Sequence, residues 1–574
     1  MVKGPYYRRP DDSTELPEVD VAIVMESTYP FLKGGVSGVV HDIVTRNPDL
    51  VFGIIHIAWD SNDPSEDLYG VPENVAWVDV VYLSLGEDAR PFQQASLPEP
   101  GVDYAAMTRR LRVAFYTLSA NNPAPFWSLY DDTINPATRH ARLWPVLTTS
   151  EFMEACVAAV PQSSSLTLAE LFWNLRDFFS LAFALTDRVH PRAKVYHAHT
   201  TGYASLIAAC AARQNDSAFL LTEHNLYLRD TINTLLGRDM NLPVTRYSYR
   251  DLPDNPVDRM WVRWWCDLGA ALYPSADHIT YLYPAAVKEA IELGADESRT
   301  EVLPNGLNWD DFAYGRARRK RPIKSIAAGE HSPWRFACIA RVVPIKGIIQ
   351  MIDIAAEAVS RGYRDFEIDV LGPTEHVPEY YQECLRHVEE TGMQGVVTFR
   401  GTVVVRECLH DYDALVLSSF NEGQPLVVLE AMACGLPVIG TRVGGMDHTV
   451  TLPVTAADGT IIGPCGDLVE PGDVTGFADR LCHLMDDPAL YLEWHGNALE
   501  RLRAEFMIDM IMSRYNTIYR ELGAGDVQWV PISSQPADLG EGPDDVSSEV
   551  RLPYQPGTLR KTVADGYLGP SQAG

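Results

Sequence analysis

Short, wholly apolar runs recur along this chain, separated by longer stretches with helical periodicity. VDVAIVM (19–25) reads as a strand. VSGVVHDIVTR follows a loop and places Val36, Val39, Val40, Ile43 and Val44 at helical spacing. LVFGIIHI (50–57) reads as the next strand. After a less regular stretch the alternation resumes with KVYHA, TGYASLIAACAAR and AFLLT. A helix around 259–273, the strand HITYLY, a helix at 284–293 and a strand ending in VLPNG (302–306) complete the series. A second series opens with RFACIAR and runs through KGIIQMIDIAAEAVSRG, FEIDVLG, a helix over 378–391, VVTFRG, DALVLSS, PLVVLEAMACG and LPVIGT. Strands apolar along their whole length belong to parallel sheets covered by helices on both faces. The expected fold class is α/β, with two Rossmann-like domains facing an interdomain cleft.

At 574 residues the chain exceeds what one hydrophobic core supports. The expected division is an N-terminal arm (1–18), a first domain (19–315) carrying a partly helical insertion at about 60–190, and a basic linker (316–332, RARRKRPIKSIAAGEHS) read as a solvated connection. A second domain (333–500) follows, then a helical segment (501–524) crossing back to the first domain, and a flexible tail (525–574) rich in Pro, Gly, Ser and Asp. The aromatic run FWNLRDFFSLAF (172–183) reads as a helix core rather than a sugar platform, and His190 and His410 as surface or packing residues.

Lys and Arg total 47 against 77 Asp and Glu, a net charge of -30, and such a surface repels nucleic acid and anionic lipid. The nine cysteines are scattered, with no pair two residues apart, which argues against a zinc ribbon or a redox pair. The N-terminus lacks the apolar stretch of a signal peptide, and no apolar run is long enough for a bilayer. A soluble cytoplasmic protein is expected.

Three motifs carry chemistry. Gly34 and Gly35, in KGGVS between a strand and a helix, let backbone amides approach negative charge, although a tight turn explains the same pair. The loop is neither a Walker loop nor a dinucleotide fingerprint. Arg341 and Lys346, in RVVPIKG after the first strand of the second series, suit a diphosphate: a fork of donors and a mobile point charge. The most specific motif is EGQPLVVLEAMACG (422–435). A helix is expected to start near Pro425, its free amides available to phosphate or sugar oxygens. Glu422 in the loop and Glu430 within the helix reach one ligand from different heights, and carboxylates accept well from vicinal hydroxyls.

RVVPIKG, the paired glutamates, EAMACGLPVIGTRVGG and GPCGDLVEPGD together resemble the donor-binding domain of glycosyltransferase family 4. ESTYPFLKGGVSGVVHDIV, YHAHTTGYASLIAA, LLTEHNLYLRD and GADESRTEVLPNGLN resemble its PelF-like branch, linked to exopolysaccharide synthesis. The resemblance covers roughly residues 19–524 and implies a GT-B fold. It implies a retaining hexosyltransferase with a nucleotide-diphosphate-sugar donor, UDP-glucose or a related UDP-sugar, and a glycan or other acceptor on the first domain. No cofactor or metal is required, and a polysaccharide-synthesis membrane complex is a possible partner. Position by position, Arg341 and Lys346 neutralise the diphosphate, and Glu422 with Gly423, Gln424, Pro425 and Leu426 holds sugar and phosphates. Glu430 binds the ribose, and Gly34 and Gly35 close over the donor. His199 counts among the catalytic residues, and Glu223, His224 and Asn305 line the cleft. Ser27 stands where the branch usually has Gly, as does Asn225 after Glu-His. The rival readings are a nucleotide-sugar epimerase on the same fold, a catalytically silent UDP-sugar-binding assembly subunit, and His197 with His199 as a metal pair.

Overall fold

The computed structural model describes residues 5–9, 12–83, 89–159, 167–238, 242–245 and 256–525; the tail expected from 525 falls outside them from residue 526 onward. Eight strands form the first sheet: β1 (Tyr6–Arg8), β2 (Val19–Glu26), β3 (Phe52–Ala58), β4 (Val75–Tyr82), β5 (Ala193–Ala198), β6 (Ala218–Glu223), β7 (His278–Tyr281) and β8 (Thr300–Val302). Their order is β1-β4-β3-β2-β5-β6-β7-β8, all parallel. The second domain supplies β9 (Trp334–Ile339), β10 (Phe366–Leu371), β11 (Val397–Gly401), β12 (Ala414–Leu417) and β13 (Val438–Thr441). A small hairpin, β14 (Val454–Thr455) with β15 (Ile461–Ile462), precedes β16 (Gly466–Val469). The second sheet is also parallel, in the order β11-β10-β9-β12-β13-β16. Every residue of β3 is buried, as sheets covered on both faces demand. This is the two-domain GT-B architecture.

The structure redraws several sequence expectations. The N-terminal arm belongs in part to the first domain, because Tyr6–Arg8 pairs with β4 at the sheet edge and Arg8 reaches the buried Asp79. The region 60–190 is not one insertion, because VAWVDVVY is a sheet strand. The helical insertion begins after β4 and includes the helices Tyr104–Ser119, Ala124–Thr133 and Leu168–Thr186. It has its own core, in which Phe92, Phe179 and Phe183 surround the fully buried Trp144. The run 172–183 divides: Phe179 and Phe183 enter that core while Phe172 and Trp173 face outward.

The basic linker is docked rather than solvated. Arg316 donates to the Ala433 carbonyl, and Arg319 to those of Cys434 and Gly435. These carbonyls end the helix Leu426–Ala433, where cations complement the helix dipole. Finally, the helix Pro488–Glu505 stays with the second domain, and the crossing occurs at Phe506–Met507. The helix Ile508–Gly523 then buries Ile511, Tyr515, Tyr519 and Leu522 against Val21, Ile23, Val195 and Leu220 of the first sheet. Burial of several large side chains, at about 1.5–3 kcal/mol each, straps the domains together. His190 is buried and His410 packs its ring against Tyr314, so both are packing residues.

Candidate functional site

In each sheet the strand order reverses at one place, between β2 and β5 and between β9 and β12. Loops leaving such a switch point splay apart and open a crevice at the carboxyl ends of the strands. The loop after β2 carries Gly34 and Gly35, and that after β5 carries His199. Arg341 and Lys346 follow β9, and residues 422–425 follow β12. The sequence-predicted residues therefore gather at the two switch points, plus Glu223, His224 and Asn305 from neighbouring strand ends.

On the second-domain side, Lys346 Nζ donates to Glu422 Oε1 at 2.6 Å in a pair that is mostly buried. Arg341 is half-buried, and its guanidinium forms no hydrogen bond or ion pair among the described residues. Burial lowers its pKa from the ordinary guanidinium value, opposed by the nearby Glu422 charge. The helix Leu426–Ala433 starts one residue later than expected, with Pro425 as its N-cap and no side chain capping its amides. Glu430, half-buried, has no counter-charge among the described residues, and burial pushes its pKa up to about 7. Two carboxylates in one motif thus differ: Glu422 is held by lysine and Glu430 is left free.

The two domains meet over this site. A Cβ added to Gly35 would sit 3.8 Å from Leu426 Cδ1, so the helix Gly35–Arg46 and the helix Leu426–Ala433 bring their N-termini together. Gly34 N–H is partly engaged, donating to Tyr69 Oη at 3.2 Å. Gly423 leaves no room for a side chain, because a Cβ there would run into the His224 carbonyl. Gly444, at φ +52°, closes against the Glu422 carbonyl from below. Gln424 is turned away from the helix start: its Oε1 accepts from Asn305 N–H at 2.6 Å, while its Nε2 is buried without a partner among the described residues. Asn305 therefore ties the first domain to the donor loop.

The first-domain wall carries three histidines. His197 is committed on both sides, to Tyr519 Oη and Thr222 Oγ1, each at 2.7 Å. His199 Nδ1 and His224 Nε2 share a hydrogen at 2.9 Å, and burial holds both rings below the ordinary histidine range. His199 Nε2 is buried without a partner among the described residues. Glu223 accepts from Tyr273 Oη at 2.9 Å, leaves Oε2 unsatisfied, and is raised by burial to about 7. Among the described residues no group of three or more His, Cys, Asp or Glu side chains is placed to hold a metal ion.

Sequence reasoning missed a buried knot beside the donor loop. Arg229 Nε donates to Asp230 Oδ1 at 2.9 Å, and its Nη2 reaches Asn225 Oδ1 at 3.1 Å and Asn421 Oδ1 at 3.3 Å. Asp230 Oδ2 accepts from Asn225 at 2.6 Å and from Asn421 at 3.1 Å. Asn421 precedes Glu422, so the first domain fixes the loop bearing that carboxylate. Asn225, the departure from the branch pattern, is the knot's centre and also accepts from Tyr283 at 3.0 Å. The other departure, Ser27, adopts φ +47°, a left-handed conformation that suits glycine better. Glu26 was missed as well; its Oε1 accepts from Ala204 N–H at 2.6 Å at the start of the helix Tyr203–Asn215. The only sequence signal was polarity inside LLTEHNLYLRD, which does not reveal partners two hundred residues away.

Residues 19–298 match a family described as a domain of unknown function, DUF3492, and residues 334–487 match the family described as glycosyl transferases group 1. Among curated proteins, the chain is 30% identical over 212 residues to a D-inositol 3-phosphate glycosyltransferase of Paenarthrobacter aurescens, covering 36% of this chain and 48% of that one. It is 39% identical over 118 residues to an N-acetyl-alpha-D-glucosaminyl L-malate synthase of Bacillus anthracis, covering 21% and 28%. The matches span about half or less of these relatives' lengths. Among solved structures, HepE of Anabaena in complex with UDP superposes with a TM-score of 0.52 at 14% identity, covering 88% of this chain and 100% of that one. The sucrose-phosphate synthase of Thermosynechococcus elongatus gives 0.52 at 17%, covering 88% and 99%. At such identities the likeness is one of fold.

Proposed function

We propose, from the premise that a GT-B chain joining a DUF3492 segment to a group 1 glycosyltransferase segment is a family 4 enzyme of the PelF-like branch, that this protein is a retaining glycosyltransferase. It moves a hexosyl unit from a nucleotide-diphosphate sugar to a glycan acceptor. The observation that carries this reading is the set of groups around the helix start at Leu426: unpartnered Arg341, Lys346 beside Glu422, uncapped amides, and a free Glu430. A nucleotide-diphosphate sugar needs each of them: cations and amides for the diphosphate, one carboxylate for the sugar and one for the ribose.

In this reading Lys346 exchanges Glu422 for phosphate when donor binds, and Glu422 turns to the sugar hydroxyls. Arg341 and Lys346 then stabilise the negative charge that grows on the departing diphosphate. The bond from the anomeric carbon to the diphosphate breaks, and the acceptor oxygen bonds to that carbon on the same face. The acceptor proton passes to the leaving phosphate oxygen. Unpartnered His199 Nε2 and the Glu223 carboxyl on the opposite wall are the groups available to position the sugar. Closure of the first domain over Gly423 excludes water and limits donor hydrolysis.

UDP-glucose or a related UDP-sugar is the proposed donor, without a metal, and exopolysaccharide synthesis in the cytoplasm, beside a membrane complex, is the proposed setting. Among the described residues no helix is long and apolar enough to cross a membrane. Calorimetry over UDP-, GDP- and ADP-sugars tests the donor: UDP-sugars should bind at least tenfold tighter. Preference for another base would refute that assignment.

A further inference from the structure

A second concavity opens at the carboxyl edge of the first sheet, on the side of the 27–34 loop away from the donor helix. Its volume is about 190 Å³, space for one pyranose unit. Three aromatic rings line it: Tyr7 from the edge strand, Phe31 from the loop after β2, and Tyr82 at the end of β4. Tyr7 and Phe31 face each other with centroids 6.1 Å apart. His56, at 2% exposure, lines the same cavity and packs edge-on against Phe31 at 4.6 Å.

The chemistry of His56 is specific. Burial lowers its pKa to about 4, so the ring is neutral. Its Nδ1 lies 3.1 Å from the Tyr29 carbonyl, which can only accept, so Nδ1 carries the hydrogen. Nε2 is then a bare acceptor, and it has no partner among the described residues. Asp60, Asp63 and Asp67 add carboxylate oxygens to the rim. Asp60 accepts from Asn62, Asp63 from the Trp59 amide, and Asp67 from the amides of Tyr69, Gly70 and Val71, so each carboxylate is fixed in place by its own loop. Among the described residues Arg9 is the one cation of the lining, and it donates to Tyr82 Oη. Aromatic faces surrounded by acceptors suit a sugar ring, whose C–H face stacks while its hydroxyls donate. Three carboxylates against one arginine disfavour a phosphate or uronate.

We propose that this cavity is an acceptor subsite for an uncharged sugar unit of a glycan, one that lies beyond the position receiving the transferred sugar. Phe31 and Gly34 are three residues apart, so the subsite lies within roughly 10 Å of chain from the donor-facing glycines. The inference rests on the glycosyltransferase reading and adds the acceptor's class: a neutral, hydroxyl-rich oligosaccharide bound by more than its terminal residue.

Saturation-transfer NMR on the full chain with maltohexaose, cellohexaose and hexagalacturonate tests it. At least one neutral hexaose should give transfer, and hexagalacturonate should give none. Tyr7→Ala, at an exposed position, and Asp63→Asn should each weaken hexaose binding about tenfold, with UDP affinity by calorimetry unchanged. No transfer from either neutral hexaose, undiminished transfer in both variants, or preferential binding of hexagalacturonate would overturn the subsite. Loss of UDP-sugar turnover with hexaose binding intact would instead sink the transferase reading alone, so the two failures are separable.

Discussion

Lowering the pH should weaken donor binding through one carboxylate. Glu430 stands half-buried without a counter-charge, and burial raises its pKa from 4.5 to about 7. Ribose hydroxyls donate to it best when it is ionised, so binding lowers that pKa and releases a proton. Affinity must then rise with pH and level off above the free-state pKa. With a free pKa of about 7, the ionised fraction falls from roughly nine-tenths at pH 8 to roughly one-tenth at pH 6. If only the carboxylate binds, affinity falls about tenfold over that interval, or ~1.4 kcal/mol. UDP-glucose is the right titrant, because it has no terminal phosphate to titrate in the same range. Calorimetry at pH 6, 7 and 8 should show this slope in the wild type and a much flatter one in Glu430→Gln. Glu223 is also raised to about 7, and the variant separates its contribution. A flat wild-type profile, or the same slope in Glu430→Gln, would refute the assignment of Glu430 to the ribose.

Four further outcomes follow from the geometry. Arg341→Ala and Lys346→Ala should each lower kcat/KM by about 10- to 1000-fold, the cost of one or two charge-assisted contacts, with thermal unfolding little changed; normal rates in both would remove them from the mechanism. Glu422→Gln should lower turnover while UDP affinity holds or tightens, since Lys346 loses its internal partner; calorimetry showing lost UDP binding would reverse the roles of the two glutamates. Gly423→Ala should force the His224 carbonyl away and cost at least about tenfold in turnover, with small-angle scattering reporting a more open particle; an unchanged rate would show that domain contact there is dispensable. Activity should persist in excess EDTA, and loss restored by magnesium or manganese would contradict neutralisation by Arg341 and Lys346 alone.

What the sequence disclosed follows the range of the interactions involved. The strands β3, β9 and β12 announce themselves because continuous apolar runs need only local pattern. Arg341, Lys346, Glu422 and Glu430 lie in contiguous motifs at strand ends, so their gathering was legible once two parallel sheets were inferred. β1 carries no such pattern: YYR is short, amphipathic and paired at an edge. β4 is apolar, but turns and prolines on either side hid it within an irregular region. The Arg229–Asp230–Asn225–Asn421 knot joins residues far apart in the chain, and Gly423 needs its bare backbone only because His224 comes from the other domain. The free Nε2 of His56 depends on a carbonyl 27 positions away. Contacts of that kind exist only after folding.

Group transfer with retention from a UDP-sugar is read out by measuring nucleotide release across a donor panel with a neutral oligosaccharide acceptor, and the product's anomeric configuration by NMR. UDP release should depend on acceptor, and the new glycosidic bond should keep the donor's α configuration. Release of UDP with an inverted linkage, appearance of an epimerised sugar without acceptor, or tight donor binding without any turnover would contradict it.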